Sequence, residues 1–290
     1  VERSLYILER ILPTELSFLS GRCRFRYSYP ENRKLHLCLF RQIQFTMKKG
    51  CWRVSLQLAK TLLALDPESD PLGARLFIDF LSLQSESFED FDKLWIQIMR
   101  NCHTGHFPGW YFNRALRLFI DEEKTKTDHL SSTEALVEAF NSSPGTGRLL
   151  LLSLKSKMSG KIPLCQNFES DSAQIGAATI FVSRCNSLWK PQNVLKWLEN
   201  VVSLWTQMPC DLLNFESFDL YHQVPIYRHS LLSDLPSLNI SIPNQVSSIS
   251  SLNSYDPLPP ECFEDEGNGK TLSIIDGLRG LLFGSLPRAN

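Results

Sequence analysis

The chain has 290 residues, of which 43% are hydrophobic, which is enough for one large domain or two small ones. Lys and Arg number 30 and Asp and Glu 31, so the basic excess typical of a nucleic-acid-binding chain is absent. No apolar run reaches the roughly 18–20 residues of a membrane span. We therefore expect no membrane partner and no direct DNA binding. The first residue is Val1, which is typical of a fragment of a longer protein.

The cysteines are scattered and include no C-x-x-C pair. In a chain of this length, that pattern favours thiols in a reducing compartment over a disulfide framework. The eight are Cys23, Cys38, Cys51, Cys102, Cys165, Cys185, Cys210 and Cys262.

Residues 1–12 carry apolar side chains at helical spacing, and we interpret them as the last helix of a unit that begins upstream. Residues 20–29 follow with alternating charge and bulk. In an extended segment, Arg22, Arg24 and Arg26 would share one side. This segment is either a solvated connector or a contact for phosphate or for an acidic partner.

Residues 30–83 carry the strongest helical signal and read as three helices in succession. Lys48 and Lys49 fall in the last turn of the first helix, where cations suit the helix dipole. Gly50 is the expected C-terminal stop, and a second apolar helix runs from there to Leu65. So short a link forces the two helices to be antiparallel.

A third helix is predicted after Leu65, with Asp70 as its N-cap and Pro71 at its first position. Residues 87–100 repeat the apolar pattern and complete a second helical hairpin. The hairpins repeat after roughly 34–36 residues, the period of tetratricopeptide repeats. The sequence therefore predicts a tetratricopeptide-like array of helical hairpins.

Residues 103–111 read as a loop, and about ten helices with no convincing strand are expected up to residue 235. We therefore predict an all-α fold, a tetratricopeptide-like α-solenoid over residues 1–235. Residues 236–270 are rich in Ser, Asn and Pro, a composition that cannot bury enough surface to order itself. Residues 271–290 form a short apolar C-terminal segment.

Few residues point to chemistry. Cys102, His103 and His106 are clustered soft ligands, but structural zinc takes four, so we expect an ordinary interhelical loop and no metal. The sequence has no G-x-S-x-G and no G-x-x-x-x-G-K-[ST] motif. Acidic residues such as Asp66 and Asp79 are expected to serve as caps or to lie on solvated helix faces. We therefore expect no enzyme and no cofactor.

Candidate residues for a partner contact lie instead on polar edges and in one loop. Trp110 and Tyr111, in the loop 103–111, are the best candidates for exposed aromatic side chains. The polar edges of residues 30–83 supply the others, besides the three arginines of residues 20–29. These are Glu31, Arg33, Lys48, Lys49 and Arg53.

Five short motifs lie within residues 30–83. They are P-E-N-R at 30–33, K-G-C at 49–51, L-D-P at 65–67, D-P-L at 70–72 and F-I-D at 77–79. With these motifs the chain resembles the transcription factor 25 family, also called nuclear localised protein 1. Fungal members of this family are called ribosome quality control complex subunit 1. The resemblance extends from about residue 1 to about residue 260.

The resemblance implies a non-catalytic adaptor that helps the Listerin ubiquitin ligase mark stalled nascent chains for degradation. The implied partners are the ligase, ubiquitin, an AAA ATPase and the large ribosomal subunit, in the cytosol and also in the nucleus. Vertebrate members were described as transcriptional repressors, so a nuclear repressor acting through partner proteins is a second hypothesis. A generic helical-repeat, peptide-binding module is a third.

Overall fold

The computed structural model describes residues 1–11, 24–101, 107–163, 168, 171–208, 220–233 and 235. Over these residues the chain forms α-helices and short 3-10 helices and no β-strand, which confirms the predicted all-α fold. The helices are α1 (Glu2–Ile11), α2 (Pro30–Lys48), α3 (Trp52–Leu65), α4 (Ile78–Gln84), α5 (Phe88–Asn101), α6 (Pro108–Thr125), α7 (Leu130–Ser142), α8 (Pro144–Ser153), α9 (Ser172–Trp189), α10 (Gln192–Trp205) and α11 (Leu220–Leu232). The 3-10 helices are Ala74–Leu76 and Lys157–Lys161. The predicted segments 236–270 and 271–290 lie outside the described residues.

Helices α2 and α3 form the predicted hairpin around Gly50, whose φ of +73° is in the left-handed region. The Cys51 amide donates to the Thr46 carbonyl over 2.9 Å. The Ser55 hydroxyl donates to the Thr46 hydroxyl over 2.7 Å, a hydrogen bond that crosses the buried side of the turn. The tight turn and this crossing bond fix the two helices side by side.

The predicted start of the third helix at Pro71 is wrong. Asp70 adopts a left-handed φ of +39°, and its carboxylate accepts hydrogen bonds from the Ala74 and Arg75 amides at 2.7 and 2.9 Å. The Asp70 carboxylate thus binds the first amides of a short 3-10 helix, Ala74–Leu76, whose N-cap is Gly73, and no α-helix begins at the residue after Asp70. The α-helix α4 therefore begins only at Ile78.

The predicted loop 103–111 is wrong over its second half, because α6 begins at Pro108. Proline suits the first turn of a helix, where its missing amide has no acceptor to lose. The helix also packs closely there, since a Cβ atom on Gly109 would lie 2.8 Å from the Phe181 ring of α9. The sequence signal for a loop, a Pro-Gly pair, is here the signal for a helix start.

The C-terminal half of the fold is held by aromatic stacking between helices. Phe119 of α6 stacks on Trp197 of α10 with 4.5 Å between ring centroids. Phe140 of α7 lies 5.3 Å from Phe112 of α6 and 5.4 Å from Trp205 of α10. Helix α9, behind them, packs against α4, α6, α8 and α11. These rings and the second half of α9 make one continuous core with the first hairpin. The first half of α9 packs with α11 in a second, smaller cluster.

Helix α11 returns to the start of the fold and packs against α2. The Leu232 carbonyl accepts hydrogen bonds from Arg41 and Gln44 of α2 at 3.3 and 2.9 Å. The His229 ring lies 5.4 Å from the Phe40 ring of α2 and 5.4 Å from the Phe77 ring. This contact joins residues 188 to 191 positions apart along the chain. Repeats of a solenoid contact mainly their neighbours, and the predicted solenoid arrangement stays a prediction.

His229 is held by hydrogen bonds on both of its ring nitrogens. Nδ1 lies 2.8 Å from the Leu72 carbonyl, which can only accept, so Nδ1 carries the proton. Nε2 then accepts from the Arg184 guanidinium over 2.8 Å. Burial, together with the Arg184 charge, lowers the pKa of His229 to about 3. The ring is therefore neutral at physiological pH.

A second buried group, Asp79 of α4, joins α4 to α6 and α9. Asn113 of α6 donates to the Asp79 carboxylate over 2.8 Å and also lies 3.3 Å from the Cys185 sulfur of α9. Burial raises the pKa of Asp79 to about 6, against the opposing effect of its hydrogen bonds. Burial likewise lowers the pKa of Arg184 to about 10. The expectation that Asp79 lies on a solvated face is wrong.

Gly50→Val should lower the free energy of unfolding by about 1 kcal/mol or more, because valine rarely adopts a left-handed φ. A Cβ atom on Gly50 would meet no atom within 4 Å, so the cost comes from the backbone alone. Urea denaturation measures it. Gly50→Asn should cost less, and Gly160→Val is the control, since a Cβ there also meets nothing and its φ is not positive. An equal loss of unfolding free energy in Gly50→Val and Gly160→Val would contradict the assignment of a left-handed φ to Gly50.

Asp79→Asn should become destabilised relative to the wild type as the pH falls. The raised pKa of Asp79 means that only the folded state holds its proton between the ordinary value of 3.8 and about 6. This proton contributes stability that is present in full below 3.8 and is lost as the pH rises through 6. The contribution of His229 to stability has the opposite pH dependence. Because the pKa of His229 is lowered, its contribution is lost as the pH falls from 6.5 towards 3.

The variant lacks the Asp79 contribution and keeps the other titrating groups, so its stability relative to the wild type should fall by about 2 kcal/mol between pH 7 and pH 4. Urea unfolding at each pH measures the difference. Asp128→Asn, at an exposed carboxylate, is the matched control. If the difference in unfolding free energy between Asp79→Asn and the wild type does not change with pH, the raised pKa of Asp79 is refuted.

Candidate functional site: the two ends of the α2–α3 hairpin

At one end of the hairpin, the leading segment (residues 24–29) runs into α2. Arg33 Nε donates to the Tyr27 carbonyl over 3.1 Å and Nη2 to the Ser28 carbonyl over 3.0 Å, so this side chain holds the segment in place. Arg24 Nη1 donates to the Ala64 carbonyl at the end of α3 over 2.8 Å. Arg26 is exposed and Glu31 half-buried. Arg22 lies outside the described residues.

The leading segment is fixed by a buried polar cluster beneath it. The Tyr27 amide donates to the Asp66 carboxylate over 2.9 Å, and His36 Nε2 donates to the Phe25 carbonyl over 2.7 Å. Burial raises the pKa of the Tyr27 hydroxyl and lowers the pKa of His36. Arg228 of α11 lies over the Tyr27 ring at 4.8 Å and donates to a backbone carbonyl over 2.7 Å. Asp66, which is buried at the end of α3, therefore holds the leading segment and caps no helix through this hydrogen bond.

At the other end, the turn of the hairpin carries exposed cations. Lys48 and Lys49 end α2 and Arg53 lies in the first turn of α3, all three exposed. Two apolar side chains lie among them, because Phe45 is 48% exposed and Val54 52% exposed. We call residues 45–54 the hairpin tip.

The structure does not bring these candidates together into one site. Arg33 and Lys48 are separated by fifteen residues of α2, which at 1.5 Å per residue is about 22 Å. The leading segment and the hairpin tip are therefore two separate surfaces, and one small ligand cannot contact both.

The two aromatic candidates are not exposed, and the expectation that they lie in a loop is wrong. Trp110 is 1% exposed and Tyr111 8% exposed, both in the first turns of α6. Trp110 Nε1 donates to the Arg75 carbonyl over 2.9 Å, and its ring lies 5.3 Å from the Phe91 ring. The Tyr111 ring meets the Trp95 ring edge-on at 5.3 Å. Both are core residues in this structure.

The buried Asp79 borders a cavity of about 10 Å³ between α4, α6 and α9. That space holds about one water molecule, so it cannot hold a substrate. A carboxyl group with a raised pKa is common at active sites and also in structural networks. Here the hydrogen bond from Asn113 joins helices, and the structural interpretation fits the geometry.

Sequence reasoning missed Asp79, Arg228 and His229 as buried groups and Arg184 as a half-buried one. One signal was available for Asp79 and Arg184. Asp79 lies in the apolar run L-F-I-D-F-L, and Arg184 follows the apolar run I-F-V-S. A single charge inside such a run is seldom solvated on a helix face, because its neighbours are buried on both sides.

No group of three or more His, Cys, Asp or Glu side chains is placed to hold a metal ion within the part of the chain that the structure describes. Cys102, His103 and His106 lie outside that part. Among the described helices, none is both long and apolar enough to cross a membrane.

Comparison with known proteins identifies relatives over nearly the whole chain. The "Ribosome quality control complex subunit TCF25" of Homo sapiens is 28% identical over 90% of this chain and 41% of its own length. The "Ribosome quality control complex subunit 1" of Schizosaccharomyces pombe is 26% identical over 100% of this chain and 42% of its own. The "Probable transcription factor claV" of Ampulloclitocybe clavipes is 30% identical over 97% and 40%.

The chain thus spans about two fifths of the length of the curated relatives it matches. No solved structure matches it. A family model described as "Transcriptional repressor TCF25" matches residues 1–260. This match covers the five motifs around the α2–α3 hairpin and all of the helices described above, and it shows that the chain belongs to the TCF25 family.

Proposed function

We propose that the chain is the helical adaptor part of a ribosome quality control complex subunit. In this role it helps the Listerin ubiquitin ligase mark stalled nascent chains on large ribosomal subunits for degradation. It acts in the cytosol and has no active site of its own. Its partners are the ligase, ubiquitin, an AAA ATPase and the large subunit.

The observation that carries the proposal is the agreement among distant relatives. Proteins named as ribosome quality control complex subunits in human and in fission yeast align with 90% and 100% of this chain. At 26–28% identity the alignments still extend over 90% and 100% of this chain, so the shared feature is most of its length and not a short motif. The name refers to a complex in each case, and a helical body with exposed edges suits a protein that holds other proteins together.

A second candidate function is transcriptional repression through partner proteins in the nucleus. Two observations favour it, namely the description of the family model and the relative named as a probable transcription factor. The near-neutral charge of the chain favours partner proteins over DNA as the contact.

The test is affinity purification of the full-length protein from cells in which ribosome stalling has been induced. We expect large ribosomal subunits and the ligase to be enriched, measured by mass spectrometry and by sedimentation, relative to unstalled cells. Deletion of the protein should also slow the turnover of a stalled reporter chain.

Two results would favour the second function. The first is a purely nuclear location with no enrichment of large subunits after stalling. The second is unchanged turnover of the stalled reporter in cells that lack the protein, combined with altered transcription of reporter genes.

A further inference from the structure

The α2–α3 hairpin has an unusual charge composition. Residues 32–65 contain seven Lys and Arg side chains and no Asp or Glu, in a chain whose totals are 30 and 31. The seven are Arg33, Lys34, Arg41, Lys48, Lys49, Arg53 and Lys60. A run of 34 residues without an acidic side chain gives this hairpin a local positive field that the balanced total conceals.

Some of these cations serve contacts within the fold. Lys60 pairs with Asp90 of α5 over 3.0 Å, and Arg33 holds the leading segment. At the hairpin tip the arrangement differs. Lys49 and Arg53 contact no carboxylate among the residues that the structure describes. The charges of Lys49 and Arg53 are therefore directed at solvent, and Lys48 is exposed beside them.

The tip also exposes apolar surface beside its charge. Phe45 lies one turn before Lys49, whose amide donates to the Phe45 carbonyl over 3.1 Å. Val54 follows Arg53 directly, and both Phe45 and Val54 are about half exposed. An apolar patch with a charged rim is the usual arrangement of a protein interface. Three cations would neutralise few phosphates, so a nucleic acid is the weaker match.

The backbone of the tip is held by contacts within the fold. The Gly50 amide donates to the Met47 carbonyl over 2.9 Å, and Trp52 meets the Phe80 ring of α4 edge-on at 5.9 Å. With the hydrogen bond between Ser55 and Thr46, these contacts fix the turn before any partner arrives. A surface that is already ordered loses little conformational entropy on binding.

We propose that the hairpin tip, residues 45–54, binds an acidic protein segment that places an apolar side chain between Phe45 and Val54. The acidic groups of the partner face Lys48, Lys49 and Arg53. This inference rests on the proposed function in that the partner is a protein component of the quality control complex. It adds the surface and the chemistry of the contact.

The test replaces Phe45 with a photo-crosslinking phenylalanine analogue in the full-length protein, followed by irradiation of intact cells during induced stalling. The same analogue at Leu130, an apolar residue that is 69% exposed on α7, is the positional control. We expect position 45 to form a protein crosslink that position 130 does not form. Peptide mapping should place the crosslink within or beside an acidic segment.

The charge is tested by a triple variant, Lys48→Glu, Lys49→Glu and Arg53→Glu, made in the crosslinker background. We expect the crosslink yield to fall at least about tenfold. The matched control reverses the charge of three exposed lysines elsewhere in the chain and should leave the crosslink yield unchanged. These are Lys155→Glu, Lys157→Glu and Lys161→Glu.

Three outcomes would overturn the proposal: no crosslink above the positional control, a crosslink to RNA, or a crosslink to the chain's own acidic residues 261–266. Sedimentation of the same cells keeps the two proposals apart. If the protein still sediments with large subunits but position 45 forms no crosslink, the tip contact is wrong and the proposed function stands. If position 45 forms a crosslink to an acidic protein segment but the protein does not sediment with large subunits, the tip contact stands and the proposed function is wrong.

Discussion

The contact between His229 and Arg184 is the constraint on which the arrangement of the helices depends. A neutral imidazole donates to the Leu72 carbonyl and accepts from the half-buried Arg184 guanidinium, so α11, α9 and the segment before α4 meet at one ring. Gly73 permits this approach, because a Cβ atom there would lie 3.2 Å from the His229 Cβ. Its φ of +64° is also one that a side chain would disfavour.

This contact changes how the α2–α3 hairpin is supported. In an open array the hairpin would rest on its neighbouring repeats alone, and it would fray with the end of the array. Here Phe40 packs on His229, and Arg41 and Gln44 donate to the end of α11. One face of α2 is thus anchored to the far end of the described fold, while the hairpin tip, at the other end of α2 from the leading segment, stays exposed.

Much of the first hairpin could be predicted from the sequence, because its determinants are local. The apolar stripes of α2 and α3, the cations before the turn and the left-handed Gly50 all lie within a few residues of what they determine. The predicted helix boundaries near Asp70 and Pro108 differ from the structure by a few residues. One capping residue suits both a 3-10 helix and an α-helix, and a Pro-Gly pair suits both a loop and a helix start. His229 and Trp110 could not be predicted, since their burial depends on partners 35 to 157 residues away and no periodicity records such distances.

Hydrogen exchange of His229→Ala, followed by mass spectrometry, tests the central claim most directly. If the His229 contact joins the two ends of the fold, the variant should lose protection in α2, over Leu35 to Thr46, as well as in α9 and α11. Leu231→Ala replaces an exposed side chain of the same helix, and it should leave the hydrogen-exchange protection of α2 as it is in the wild type. Loss of protection confined to residues 220–232, with α2 unchanged, would contradict the account.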